Sequence, residues 1–76
     1  MKTACMGIDV SKATLDMYVL SRKEHIRVPN NSEGFKKIVS RIKAIKPSKV
    51  VMEATGGYEA LCAAHLAAHG IPSCRG

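Results

Sequence analysis

The sequence predicts an α/β domain, built as a three-stranded antiparallel meander, a helix, a parallel strand and a second helix. Three observations predict it. Three short stretches near the start carry strand patterning and are separated by polar connections. An amphipathic stretch follows, with apolar residues at three- and four-residue steps. A brief β-branched run and an Ala-rich segment come next, giving the strand–helix alternation expected of mixed α/β architecture.

Lys2 to Val10 is nearly continuous apolar sequence broken by small residues, as expected of a central strand covered on both faces. Ser11-Lys12-Ala13 is a short connection. Thr14 to Leu20 alternates, with Leu15, Met17 and Val19 on one face and Asp16 and Tyr18 on the other. Asp16 is expected on this strand nearer the end away from Asp9. After a turn at Ser21-Arg22-Lys23, Glu24 to Val28 places Ile26 and Val28 inward and His25 and Arg27 outward, and Pro29 ends it. Short and charged, this third strand suits a protected sheet edge.

Asn30-Asn31-Ser32 is a helix-start cluster; with Asn30 as the cap, Glu33 takes the capping-box position. Phe35, Ile38, Val39, Ile42 and Ile45 form the apolar stripe, and Lys46-Pro47 closes the helix. Lys49 to Ala54 reads as a buried strand, Thr55-Gly56-Gly57 as a tight loop, and Tyr58 to His69 as a helix stopped by Gly70. Ile71-Pro72-Ser73 offers the start of a fifth strand, but Cys74-Arg75-Gly76 carries no strand pattern, so a fifth strand is expected to be missing.

Seventy-six residues permit one small domain, and a chain of this size buries only roughly 60% of its unfolded surface. No apolar run approaches the roughly 20 residues that span a bilayer. Asp9 and Lys12 interrupt any signal-peptide core, so the reading is soluble and intracellular. Three cysteines without framework spacing read as reduced thiols. Twelve Lys and Arg against six Asp and Glu give +6. Such an excess favours polyanions through counterion release, although a solubilising surface accounts for it equally.

Asp9 and Glu53 each stand at the carboxyl end of an apolar strand. A right-handed crossover brings the fourth strand beside the first and parallel to it, setting both acids at one edge. Two oxygen donors aimed at one point suit Mg²⁺ or Mn²⁺, the ions nucleases use to act on phosphate. Spacing alone leaves open that they are solvated turn residues.

Gly7-Ile8-Asp9-Val10-Ser11-Lys12 and Glu53-Ala54-Thr55-Gly56-Gly57-Tyr58-Glu59, in this order and separation, resemble the N-terminal domain of the DEDD transposases. This is the insertion-sequence one-ten family, which includes the Piv DNA invertases. Leu15-Asp16, the Asn-rich helix start with Gly34, and His69-Gly70-Ile71-Pro72 add to the likeness, which runs from about Met6 to Pro72. The resemblance implies a ribonuclease H-like (RuvC-like) fold in a bacterial cytoplasmic protein, with a metal-binding tetrad of Asp, Glu, Asp and Asp. Asp9 matches the first position and Glu53 the second, as catalytic and metal-binding residues. It further implies DNA as substrate, a guide RNA in full-length relatives and a downstream domain with a catalytic serine, with homo-oligomerisation left open. After Pro72 the chain departs from the family pattern, so residues 1–76 are expected to be an incomplete, truncated or frameshifted domain without activity of its own.

Other residues carry weaker readings. Lys12 follows the first acid and is placed either as a phosphate contact or as an ordinary hairpin lysine. Lys36, Lys37, Arg41 and Lys43 form a basic helix face, read either as solvated or as contacting phosphates. Gly56 and Gly57 are expected to supply positive φ, Tyr58 to pack at the helix start, and Glu59 to stabilise the helix N-terminus. Cys62, His65 and His69 share a helix face at zinc-ligand spacing, but no second cluster completes a site. Two other functions compete: a non-catalytic nucleic-acid-binding remnant, and an actin-like sugar-kinase lobe. The kinase lobes follow the first Asp with a Gly/Thr-rich phosphate hairpin, which Ser11-Lys12-Ala13 lacks.

Overall fold

A computed structural model describes residues 5–20, 23–54 and 56–75, without the side chains of Ala54 and Arg75. The expected first strand before Cys5, the Ser21-Arg22 turn, Thr55 and Gly76 lie outside the described residues. The elements are β1 (Cys5–Val10), β2 (Thr14–Val19), β3 (Glu24–Pro29), α1 (Ser32–Ile45), β4 (Lys49–Ala54), α2 (Ala60–Ala68) and β5 (Cys74–Arg75). They form a mixed five-stranded sheet in the order β3-β2-β1-β4-β5. β2 is antiparallel to both neighbours, whereas β4 is parallel to β1 and β5 to β4.

Two expectations about the sheet are corrected. β5 exists: Cys74 and Arg75 pair with Val51 and Met52, so the β4 edge is covered at those positions. Two residues are too few for side-chain alternation to register, and the pairing rests on backbone hydrogen bonds. The second correction concerns burial. β1 and β4 are covered on one face only, since Met6, Ile8, Val10, Val50 and Met52 are buried while Asp9, Lys49 and Glu53 are exposed. The apolar look of β1 came from small residues, Gly7 among them, rather than from two packed faces.

The covered face packs against both helices in one core. Leu15, Met17 and Val19 of β2 join Phe35, Ile38, Val39, Ile42 and Ile45 of α1, with Cys62 and Leu66 of α2. The cap of α1 is Asn31, one residue later than expected, its side chain accepting from Gly34 N–H at 3.0 Å. Asn30 is occupied elsewhere: its amide donates to the Ser11 carbonyl at 2.8 Å and its backbone N–H to the Ala13 carbonyl at 2.9 Å. The end of β3 is thereby tied to the β1–β2 connection.

α2 begins two residues later than expected because Gly56 and Gly57, at φ 72° and 76°, lead a turn that runs to Glu59. Glu59 is the N-cap residue, but its side chain does not cap the helix. At the other end Gly70 takes φ 73°, its N–H donating to Ala67 O and that of Ile71 to Leu66 O, both at 2.9 Å. This double closure satisfies the last carbonyls and folds Ile71 back onto the core. No helix among the described residues is long and apolar enough to cross a membrane.

Candidate functional site

The open face of the sheet carries the candidate site. In the parallel β1–β4 pair Asp9 is the direct partner of Glu53, and in the antiparallel β1–β2 pair Asp9 is also the direct partner of Asp16. Direct partners project from the same face at a strand spacing of about 4.8 Å. Three carboxylates therefore stand side by side across β2, β1 and β4. Asp16 lies beside Asp9, not toward the far end of β2, because the connection is tight and pairs Val10 with Leu15. Ser11 fixes that turn. Its hydroxyl donates to the Thr14 carbonyl at 3.0 Å and accepts from Thr14 N–H at 3.3 Å.

Neighbouring like charges repel, and the three acids meet this differently. Asp16 is neutralised from β3. Its Oδ1 accepts from Arg27 Nε at 2.9 Å and lies 2.8 Å from His25 Nε2. The Arg27 hydrogen bond first, and then that of His25, hold the Asp16 carboxyl below the usual carboxylate range. His25 is itself stacked on Tyr18, with ring centroids 4.5 Å apart and planes 13° from parallel. Asp9 and Glu53 are exposed and join no hydrogen bond or salt bridge among the described residues. The sequence reading missed the Asp16–His25–Arg27 group. The β2–β3 alternation could have found it, since Arg27 is the direct partner of Asp16.

Beside the acids lies a hollow of about 280 Å³, lined by Gly7, Ile8, Asp9, Tyr18, Val51 and Glu53. A Cβ on Gly7 would meet nothing within 4 Å, so the floor of the hollow is bare backbone. Two uncommitted oxygen donors facing one hollow suit a hard divalent cation that keeps several waters. Among the described residues, no group of three or more His, Cys, Asp or Glu is arranged to hold a metal. Asp16, spoken for by Arg27 and His25, does not join the other two.

The remaining candidates separate clearly. Lys12 is exposed at the β1–β2 turn, three residues after Asp9. Lys36, Lys37 and Lys43 are exposed on α1, in the layer that covers the opposite face. Arg41 corrects the basic-face reading, because it is half-buried and paired with Glu24 of β3, a tie between helix and sheet. Tyr58 is exposed and lies over Gly56, where an added Cβ would stand 3.1 Å from its ring. Cys62 is buried in the core, and burial pushes its thiol up to about 11. His65 lies between Phe35 and His69, at centroid distances of 5.4 and 4.9 Å.

Fold and site together define a mixed α/β domain with paired carboxylates on two adjacent parallel strands. The chain matches the IS110-type DEDD family model, described as Transposase, over residues 6–75. The match covers nearly all of its 76 residues, and the chain belongs to that transposase family. A search among curated proteins gave no match.

Proposed function

We propose that this chain is the first part of a ribonuclease H-like (RuvC-like) nuclease domain, and that Asp9 and Glu53 are half of its metal-binding tetrad. The observation that carries the reading is the β1–β4 register, which makes these two acids direct partners on the open face. Family membership and the strand order, with β2 alone reversed, support it.

In this reading Asp9 and Glu53 offer carboxylate oxygens to Mg²⁺ or Mn²⁺ beside the hollow. When bound, such ions supply activation of the attacking group and stabilisation of the leaving oxygen during DNA strand cleavage and transfer. Asp16 serves the site without binding the ion, its charge held by Arg27 and His25. Lys12, from the neighbouring turn, attracts the phosphate. Full-length relatives would act on DNA with a guide RNA, adding two further acids and a catalytic serine. The sugar-kinase reading loses its ground with membership of the transposase family.

Holding two metal ions around one phosphate takes more ligands than Asp9 and Glu53, so the isolated chain should bind one ion loosely and cut nothing. Two measurements test this. Mn²⁺ should broaden the NMR signals of Asp9 and Glu53 selectively, and Asp9→Asn should abolish the broadening. The purified chain should leave supercoiled plasmid intact in Mg²⁺ or Mn²⁺. Metal-dependent nicking that Asp9→Asn removes would show that two carboxylates suffice and would overturn the half-site reading.

A further inference from the structure

Three of the six acids stand on the open face of the sheet, whereas Lys36 and Lys43 stand exposed on the helix that covers the other face. Asp9, Asp16 and Glu53 stand on the open sheet face; Glu24 is taken by Arg41; Glu33 and Glu59 sit at the starts of the two helices. The exposed side of α1 and the end of α2 are different. A hollow of about 290 Å³ there is lined by Lys36, Ser40 and Lys43 of α1 and by His69 at the end of α2. A second hollow, of about 180 Å³, takes Lys46 and Lys49 and reaches Gly70. The two are linked along the chain, since His69 and Gly70 are consecutive and Lys46, the left-handed residue that ends α1, follows three positions after Lys43. No Asp or Glu lines either hollow.

We infer that this track along α1 to the end of α2 is a metal-independent binding groove for a nucleic-acid phosphate backbone, separate from the strand presented to Asp9 and Glu53. The inference rests on the reading of the chain as a nucleic-acid-handling domain, but not on the metal half-site. Three lysines along the track, Lys36, Lys43 and Lys46, are point charges suited to phosphates, and Ser40 and His69 add hydrogen-bonding groups beside them. The basic helix face of the sequence reading is thereby redrawn. Arg41 leaves it for Glu24, Lys37 does not line the hollows, and Lys46, Ser40 and His69 enter. With the groove on the helix layer and the carboxylates on the sheet face, one domain holds two nucleic-acid segments at once.

The test is fluorescence anisotropy of the full 76-residue chain with a labelled DNA duplex and a labelled RNA hairpin, in EDTA, across a salt series. Three lysine contacts predict a log–log salt slope of about −2 to −3 on duplex DNA. Lys43→Gln and Lys46→Gln should each shrink that slope by about 1, and the double variant should weaken binding at least about tenfold at moderate salt. Lys23→Gln, in the β2–β3 turn, should leave the slope unchanged, and circular dichroism checks that every variant is folded. Binding of only one polymer supports the groove and names its source. Binding of neither overturns it, as does an equal effect of Lys23→Gln, which would mean diffuse attraction by net charge. Failure of the metal half-site would show separately, as loss of the Mn²⁺ broadening with EDTA-resistant binding intact.

Discussion

On the face beneath the helices, Met6, Ile8, Leu15, Met17 and Met52 are buried. On the other face the same strands present Asp9, Tyr18 and Glu53 to solvent. A residue's neighbour along a strand thus lives under a different rule. Beneath the helices, shape decides, and burial of apolar surface at roughly 25 cal/mol per Å² holds the fold. On the open face charge decides, and like charges stand side by side at some cost in stability. Arrangements that work against stability are expected where a binding site is being built.

The two glycines at positions 34 and 7 express the contrast most sharply, and Gly34 gives the largest expected effect. A Cβ there would stand 1.7 Å from the Pro29 carbonyl oxygen, which is backbone and cannot swing away. Gly34 lies in the first turn of α1, where it also donates to the Asn31 cap. Gly34→Ala must therefore push the helix off the end of β3. The expected loss is about 3 kcal/mol or more, a large share of the stability of a domain this small. Urea denaturation monitored by circular dichroism measures it, and a loss below 1 kcal/mol would mean that α1 is not seated so closely.

The Asp16–Arg27–His25 group ranks next, because it lies on the open face yet is held together. Asp16 has its carboxyl lowered by Arg27 first and His25 second. A lowered folded pKa contributes stability that is present above the unfolded value, about 3.9. That contribution is lost as pH falls through the lowered folded value. Arg27→Gln should return the Asp16 titration toward the ordinary range in carboxyl NMR. The cost in stability near neutral pH should be small, since the guanidinium is largely solvent-exposed. An unmoved Asp16 titration would mean that Arg27 does not hold this charge.

Much of this arrangement was legible in the sequence, for identifiable reasons. The stripe Phe35-Ile38-Val39-Ile42-Ile45 specifies α1, and all five residues are buried. The alternation of Leu15, Met17 and Val19 sets the facing of β2. The adjacency of Asp9 and Glu53 follows from two strands and a crossover helix, because handedness restricts where β4 can go. What escaped depends on partners distant in sequence or on backbone alone. Asn30 looks like a helix cap until Ser11 and Ala13 claim its amide and its N–H. Arg41 looks like an open cation until β3 supplies Glu24. The two residues of β5 pair through backbone groups that leave no trace in side-chain pattern. One-sided burial of β1 was hidden because Gly7 counts as apolar in a sequence while covering nothing in the structure.

Gly7 gives the smallest effect and probes the open face directly. It lies inside β1, paired with Tyr18 on one side and Val51 on the other, where a glycine weakens a strand by about 0.5–1 kcal/mol relative to alanine. A positive φ does not require it, and a Cβ would meet nothing within 4 Å. Neither conformation nor internal packing requires a glycine there. Gly7→Ala should therefore raise the stability of the isolated chain slightly, by up to about 1 kcal/mol in urea denaturation. The added methyl should at the same time narrow the hollow beside Asp9 and Glu53, and Mn²⁺ broadening of those two residues should persist because their carboxylates are untouched. A clear loss of stability would show that the face above Gly7 is already packed, and the division between a shape-governed and a charge-governed face would fail at its centre.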